Sequence, residues 1–492
     1  MEYDADSYEA KLAGSDTFES TIERLPVLSV AMQFALEDLR RSWVSSRLAE
    51  DLPLLIDHKA TSLPAEVHQQ LAAARASTKT GWFQTHPCDT DRIRAARRLN
   101  EPGIFRMTQP AARLFADFNA LSRTVTRHQC EKHFGLEFAE ENLIPAEEIL
   151  RESAACAETE AVVRKFYGRV NVCLKPLLVE SDWSPLADPQ SAIAEWREKR
   201  KASDQLREQA ERISAAWAEE QSRLVDATAV LCLAKARFSV TPKEFGLPEA
   251  ATTIPSQEIA ARSLADKIRA TTALQLATLD PFVTALRQRV TLALRFAMTT
   301  ARETSPETAS EIETPGSLLV AVGAEMPGVY EIGAKLRACS LLAQNRANHP
   351  DPAHLDKVAS EIALEMQTLL GLIQERLKDW FYPFPHPRGQ LGVAEYLAPE
   401  KLMGKEWQRS YFEIDASVDR LFTLHYRLLG KLLTHADAAE KALETQATVQ
   451  LSNDRQPARR LRQISRDEEC AGADSQCRSQ KDHLRQFRAA SA

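Results

Sequence analysis

Apolar side chains recur along most of the chain at the three- and four-residue spacing of helices that are buried on one face. In the first hundred residues this pattern predicts helices at about 3–13, 18–49, 64–76 and 89–98. After the break Asn100-Glu101-Pro102-Gly103 it continues in longer segments, at 191–238, 256–300, 355–384 and 415–450. Pro281 should kink or split the second of these, because proline lacks the N–H that an interior helix position donates.

Long amphipathic helices that follow one another bury their apolar stripes against each other. The sequence therefore predicts an all-α fold with a compact unit at 1–98, an antiparallel helical bundle at 99–450 and a polar tail at 451–492. The tail has nine Lys and Arg, six Asp and Glu and a single aromatic residue, Phe487. So little apolar surface does not offset the entropy of ordering, and we expect the tail to be disordered.

Composition and charge limit the classes of function that the protein can have. The formal net charge of −7 gives no general attraction to nucleic acid or to anionic lipid. The basic cluster Arg459-Arg460-Leu461-Arg462 is compatible with a nucleic-acid contact, but a solvated tail is the favoured interpretation. The eight cysteines are scattered without a Cys-x-x-Cys pair, so we expect thiols in a reducing, cytoplasmic-type environment. No stretch approaches the roughly 20 apolar residues that a membrane-spanning helix requires.

The most informative residues form the string EYDADSYEAKLAG at positions 2–14. Glu2 and Asp6 are four residues apart and so share one face of a helix. Ala5 and Ala10 are small enough to let another helix approach closely. Gly14 can end the helix in a left-handed conformation. A Glu-x-x-x-Asp pair alone is common on surface helices, so the information lies in the whole string.

This string resembles the segment that supplies the third zinc ligand in the HtpX-like zinc metallopeptidases, the gluzincins that include the type I CAAX prenyl endopeptidases. The family pattern is Glu-aromatic-x-Ala-Asp, followed by an aromatic residue, Ala, Leu and Gly. The chain matches it with Glu2, Tyr3, Ala5, Asp6, Tyr8, Ala10, Leu12 and Gly14. The resemblance implies that Glu2 is a zinc ligand. It also implies that Asp6 orients a ligand histidine, since metal-bound imidazoles usually donate their second N–H to a carboxylate.

A second string lies some eighty residues further on, where the same family would have it. Residues 85–93, THPCDTDRI, resemble the Thr-His-Pro-x-x-x-x-Arg-Ile element that closes the HtpX-type catalytic domain. The resemblance implies that His86 lies beside the cleft as a catalytic-site residue. It implies that Arg92 holds the element in place. Together the two strings extend the resemblance over residues 1–98, a fifth of the chain.

The departure from the family concerns the metal itself. A catalytic zinc needs three protein ligands and one open position. The family takes two of them from His-Glu-x-x-His, whose Glu is the general base. No His-Glu pair occurs anywhere in this sequence. The truncated end of a zincin-like domain is therefore expected to bind no zinc by itself.

The sequence thus predicts a C-terminal fragment of an HtpX-like zinc metalloendopeptidase that is inactive as an isolated chain. The parent protein is expected to hold zinc, to cleave a polypeptide substrate and to be anchored in a membrane facing the cytoplasm. The alternative is a non-catalytic helical scaffold or adaptor that retains a decayed peptidase remnant. Whether the chain belongs to an enzyme is left open between these two.

Other residues suggest a metal, catalytic or peptide-binding site but have a simpler structural interpretation. His128 and His133 are five residues apart, so on an α-helix their rings should diverge by about 140°. His425 and His435 share an approximate helix face, but the sequence offers no acidic or thiol partner beside them. The aromatic run 380–384 favours a helix end packed on the bundle over a peptide-binding groove.

Overall fold

The computed structural model describes residues 2–44, 46–78, 87–105, 109–177, 179, 186, 189–304, 306–386, 388–398 and 406–446. Within these residues the regular structure is fifteen α-helices, a few short 3₁₀ and π turns, and one pair of two-residue strands. The predicted all-α fold is confirmed. The tail predicted to be disordered, 451–492, lies outside the described residues. None of the described helices combines the length and apolar character needed to span a membrane.

The helices follow one another with short connections over most of the chain. The first seven are α1 Glu2–Ala13, α2 Ser15–Trp43, α3 Leu52–Ser62, α4 Ala65–Ser77, α5 Asp89–Leu99, α6 Phe118–His128 and α7 Ala146–Tyr167. The others are α8 Pro189–Lys235, α9 Ile254–Thr278, α10 Asp280–Thr304, α11 Pro306–Ala324, α12 Met326–Asn345, α13 Pro352–Leu377, α14 Val393–Leu397 and α15 407–446. The strands are β1 Leu48–Ala49 and β2 Leu143–Ile144.

Two of the long predicted segments match the structure closely, and a third does not. The stretch with almost no Gly or Pro forms α8, a single helix of 47 residues. The split expected at Pro281 is confirmed, because α9 ends at Thr278 and α10 begins at Asp280. The helix predicted over 18–49 is too long, since α2 ends at Trp43. Ser46 has a φ of 56°, a left-handed conformation that an α-helix does not continue through.

The chain divides into two compact units. Unit 1 comprises Met1–Glu160 and Ala363–Leu421, and unit 2 comprises Ala161–Ile362 and Phe422–Ala492. The division falls within α7, α13 and α15. Residues 99–160 therefore lie in the same compact unit as the first 98. The domain boundaries that the sequence predicts at 98 and 450 stay a prediction.

The core of unit 1 forms where α2, α3 and the strands meet. Leu48 lies opposite Leu143 and Ala49 opposite Ile144 in a parallel pair. The buried residues around this pair are Ala35, Leu39, Leu52, Leu55, Cys130, Ala146 and Ile149. Asp51 begins α3 by accepting a hydrogen bond from the Leu54 N–H at 2.9 Å, as helix-capping carboxylates do. Parallel strands thus bring segments almost a hundred residues apart into one core.

Unit 2 is organised around α8, which packs against α9, α10 and α12. A buried ion pair lies inside it. Arg289 Nε lies 2.6 Å from Glu440 Oε1, and Arg289 Nη2 lies 2.8 Å from Glu440 Oε2. The Trp196 indole also donates to Glu440 at 3.0 Å, and the Arg289 guanidinium lies 4.6 Å from the centre of the Phe166 ring. Arg289 and Glu440 are each 1% exposed, so each charge is stabilised mainly by the other and by these hydrogen bonds.

Glu440→Gln should destabilise the protein by about 3–5 kcal/mol, because it leaves the Arg289 charge buried without a counter-charge. The double variant Arg289→Met/Glu440→Leu should recover most of that loss, since it removes both charges. Urea denaturation followed by circular dichroism measures both. Arg262→Met, which removes an exposed pair with Glu258 on α9, is the matched control and should stay within about 0.5 kcal/mol. A Glu440→Gln loss no larger than that of the control would contradict this account.

Candidate functional site

The two strings that resemble the peptidase family lie side by side in unit 1. The first forms α1, and the second leads into α5, and both helices pack against the start of α2. Their shared core consists of Ala10, Phe18, Ile22, Ile93 and Ala96. We call this group, together with Asp6 and Arg92, the motif cluster. Ala10 is fully buried, which is the close packing that a small residue at this position allows.

A bidentate ion pair joins the two strings. Arg92 Nε donates to Asp6 Oδ2 at 3.0 Å, and Arg92 Nη2 donates to Asp6 Oδ1 at 2.7 Å. Asp6 is only 3% exposed, although it is an aspartate on a helix of 12 residues. The Arg92 guanidinium also lies 5.8 Å from the centre of the Phe18 ring. Fork-to-fork geometry of this kind is the strong form of arginine–carboxylate contact, so it fixes α5 against α1.

The charges around Arg92 extend beyond this pair. The hydrogen bonds that Arg92 donates to Asp6 raise the pKa of Arg92 most, and the negative charges of Asp6, Asp89 and Glu2 raise it further against the opposing effect of burial. Glu2, at the start of α1, is half-buried. Three carboxylates, from both strings, thus raise the pKa of one guanidinium.

Gly14 and Gly103 allow a tight closure at the end of α1. Gly14 has a φ of +100°, and its N–H donates to the Ala10 carbonyl at 2.8 Å. A Cβ on Gly103, whose φ is +73°, would lie 2.6 Å from the Gly14 nitrogen. Ser15 Oγ donates to the Ala96 carbonyl at 2.7 Å and accepts from the Glu101 N–H at 3.0 Å. The break at 100–103 thus packs directly onto the motif cluster.

The structure describes only some of the site residues that the resemblance predicts. Glu2, Asp6 and Arg92 come together, whereas His86 and Thr85 lie outside the described residues. Arg92 holds the second string against the first. The role predicted for Asp6, orienting a ligand histidine, stays a prediction, because its partner in the structure is Arg92. Across the described ranges, no group of three or more His, Cys, Asp or Glu is arranged to hold a metal ion.

A cleft of about 440 Å³ adjoins the motif cluster. Its walls are mainly apolar, and Asp89 and Arg92 lie at its edge. The residues that line it are Ile22, Leu25, Pro26, Ser29, Val30, Leu71, Asp89 and Arg92. Pro26 lies inside α2 and has no N–H, so the Ile22 carbonyl does not receive the hydrogen bond that residue 26 of a regular α-helix would donate. The cleft can accommodate an apolar side chain next to the charged side chains of Asp89 and Arg92.

The histidines at 128 and 133 do not diverge, so that prediction is wrong. Gln129–His133 forms a π turn, and the two ring centres lie 6.0 Å apart in an edge-on contact. A π turn closes hydrogen bonds over five residues, which brings positions five apart above one another. Cys130 is fully buried within this turn, beside the strand pair of unit 1.

His425 has a partner that the sequence did not reveal. Its Nδ1 lies 3.6 Å from the Sγ atom of Cys173 in unit 2, and His425 is fully buried. Burial lowers the pKa of His425 to about 4 and raises the pKa of Cys173 to about 12. The two groups are therefore a neutral imidazole and a neutral thiol at pH 7. Because 252 residues separate them, no local pattern could have indicated the pair.

The aromatic run 380–384 packs within unit 1. Tyr382 is 5% exposed and stacks on Tyr396 of α14, with ring centres 4.0 Å apart. Tyr382 also contacts the rings of Phe384 and His386. The neighbouring Phe381, in contrast, is 64% exposed. Tyr382 thus packs as predicted in a core, but it does not lie at a helix end, because α13 ends at Leu377 and the predicted helix over 355–384 is too long.

Comparison with known proteins adds no relative: neither the scan against protein-family models nor the searches among curated proteins and solved structures found a match.

Asp6→Asn should loosen the motif cluster by about 2 kcal/mol, because it removes the charge that holds the Arg92 fork. Arg92→Lys should have a similar effect, since an ammonium cannot make the two parallel hydrogen bonds. A double-mutant cycle should give a coupling of about 1–3 kcal/mol. Hydrogen exchange of the amides of α1 and α5 measures the local opening. Arg94→Lys, at an exposed ion pair on the same helix, should change exchange little, and additive effects at Asp6 and Arg92 would disprove the coupling.

Unit 2 should lose stability as the pH falls from 6.5 to 4. In this window His425 of the unfolded chain, with an ordinary pKa near 6.5, binds a proton. The buried ring of the folded chain stays neutral until about pH 4. The contribution is complete above pH 6.5 and amounts to at most about 3 kcal/mol. Denaturation of wild type and His425→Asn between pH 7.5 and 4.5 tests this. The variant should show a shallower slope, and His68→Asn at an exposed position should follow wild type.

Proposed function

We propose that this chain is the C-terminal part of an HtpX-like zinc metalloendopeptidase and that it does not cleave peptides by itself. The observation that carries the proposal is the ion pair between Asp6 and Arg92. Each residue belongs to one of the two strings that resemble the family, and 86 positions separate them. Two unrelated local resemblances would have no reason to meet in a buried bidentate contact.

The residues present do not make a complete zinc site. Glu2 offers one carboxylate at the start of α1, on the same helix face as Asp6. A catalytic zinc in this class requires two imidazoles besides, from a His-Glu-x-x-His helix that the sequence does not contain. The role assigned to Glu2 is therefore that of a ligand in the parent protein, and no reaction step is assigned to this chain.

The motif cluster has a positioning role within this proposal. Asp6 and Arg92 hold α1 and α5 together, which fixes Glu2, at the start of α1, relative to the second string. The apolar cleft beside Arg92 is where a hydrophobic side chain of a polypeptide substrate would bind. These assignments rest on the family resemblance and on the contacts of α1, α2 and α5.

Purified chain supplied with zinc should bind much less than one ion per molecule and should not cleave casein in a chelator-sensitive manner. One carboxylate gives too little affinity for an ion that requires three protein ligands. Atomic emission spectroscopy and a casein assay with and without a chelator provide the readouts. Glu2→Gln is the control and should match wild type. Stoichiometric zinc that disappears in Glu2→Gln would contradict the proposal.

The alternative is a helical scaffold that retains the motif cluster for structural reasons. It is favoured by Asp6, whose two carboxylate oxygens both accept hydrogen bonds from Arg92. The genomic reading frame upstream of Met1 separates the two. An in-frame His-Glu-x-x-His within about a hundred residues would support the peptidase, and its absence there would support the scaffold.

A further inference from the structure

Unit 2 has a surface pocket of about 720 Å³, lined by residues of that unit. It lies between α8 and the last turns of α15. Trp196 contributes an apolar wall, and the polar lining consists of Arg197, Arg200, Lys201, Asp204, Gln205 and Glu444. The pocket therefore presents three cations and two carboxylates around one aromatic ring.

The two carboxylates of the pocket are already engaged. Glu444 is paired with Arg200. Asp204 accepts from Arg207 and, at 3.3 Å, from the buried Arg289. Neither carboxylate is thus available to neutralise a further cation in the pocket.

Two cations of the pocket have no ion-pair partner among the described residues. Arg197 and Lys201 are four residues apart on α8 and so lie on one face of that helix. Neither makes an ion pair with any residue that the structure describes. Two such charges in a concave site attract an acidic ligand. The pocket consequently fits a short run of carboxylates.

The wall behind these cations is rigidly held. Trp196 is 1% exposed, and its indole N–H donates to Glu440, which is itself paired with Arg289. The Arg200 guanidinium lies 5.3 Å from the centre of the Trp196 ring. A preorganised wall of this kind lowers the entropic cost of binding.

The chain itself carries an acidic segment that follows, in the sequence, the last residue that lines this pocket. The described part of α15 ends at 446, two residues after Glu444, and 46 residues follow. Asp467-Glu468-Glu469 is the one run of three consecutive acidic residues in that stretch. A flexible chain of some twenty residues has a root-mean-square span of about 25 Å, and such a tether gives effective concentrations in the millimolar range.

We propose that Asp467-Glu468-Glu469 binds in this pocket, against Arg197 and Lys201. The complementary charges and the position of Glu444, a lining residue two positions before the described end of α15, both favour the chain's own tail as the occupant. The contact consists of partly solvated ion pairs, so salt at high concentration should release it.

A zero-length carbodiimide crosslink tests the proposal on the full chain at low salt. The reagent joins a lysine amine to a carboxylate only when the two are in contact. Peptide mass spectrometry should find Lys201 joined to residues 467–469. Lys441 is the internal reference, because it lies nearer to the start of the tail and its side chain is 70% exposed. Lys201 should form several-fold more of the crosslink than Lys441.

Matched charge reversals provide the controls. Arg197→Glu should reduce the Lys201 crosslink several-fold, whereas Lys243→Glu, an exposed reversal elsewhere in unit 2, should leave it unchanged. Sodium chloride at about 0.5 M should abolish it. Equal crosslinking of Lys201 and Lys441, or an intact crosslink in Arg197→Glu, would overturn the proposal. Mixing with ¹⁵N-labelled chain identifies crosslinks between two copies, and a majority of such crosslinks would also overturn it.

Discussion

Arginine–carboxylate pairs, partly buried in unit 1 and fully buried in unit 2, hold distant segments of this chain together. A charge removed from water is tolerated only when a counter-charge and hydrogen bonds replace the water, so each pair allows only one arrangement of its helices. Asp6 with Arg92 fixes α1 against α5 in unit 1. Arg289 with Glu440 does the same for α10 and α15 in unit 2. The packing of small and aromatic side chains around each pair is organised by these contacts.

The pair in unit 1 also carries the functional argument. Two strings that resemble one peptidase family are separated along the chain by α2, α3 and α4, and the ion pair joins them. The tight approach of Gly103 to the end of α1 and the buried Ala10 show that the small residues of the first string are used for close packing. The cluster is thus a firm structural element on which Glu2 is displayed, and the remaining ligands of a zinc site would have to come from elsewhere.

Unit 2 shows how burial changes the chemistry of groups that look reactive. Cys173 and His425 lie in contact, the arrangement of a nucleophile and its base. Burial raises the pKa of the thiol and lowers that of the imidazole, so the pair is neutral near pH 7. A reactive dyad of this type requires a thiolate. The surface pocket beside Trp196 is the opposite case, because its Arg197 and Lys201 keep their charges in contact with water.

The sequence by itself determined the helical class, the long uninterrupted α8 and the break at Pro281, because helix periodicity and the missing N–H of proline act over a few residues. It also indicated Asp6 and Arg92 as members of two recognisable strings. Only the tertiary structure decided that these two bind each other, that Cys173 meets His425 and that a π turn brings His128 onto His133. The first two contacts join residues far apart in the chain, and the third depends on how one turn packs Cys130 into the core. Such pairings are set by burial and by the pairing of buried charges, which no local pattern of residues encodes.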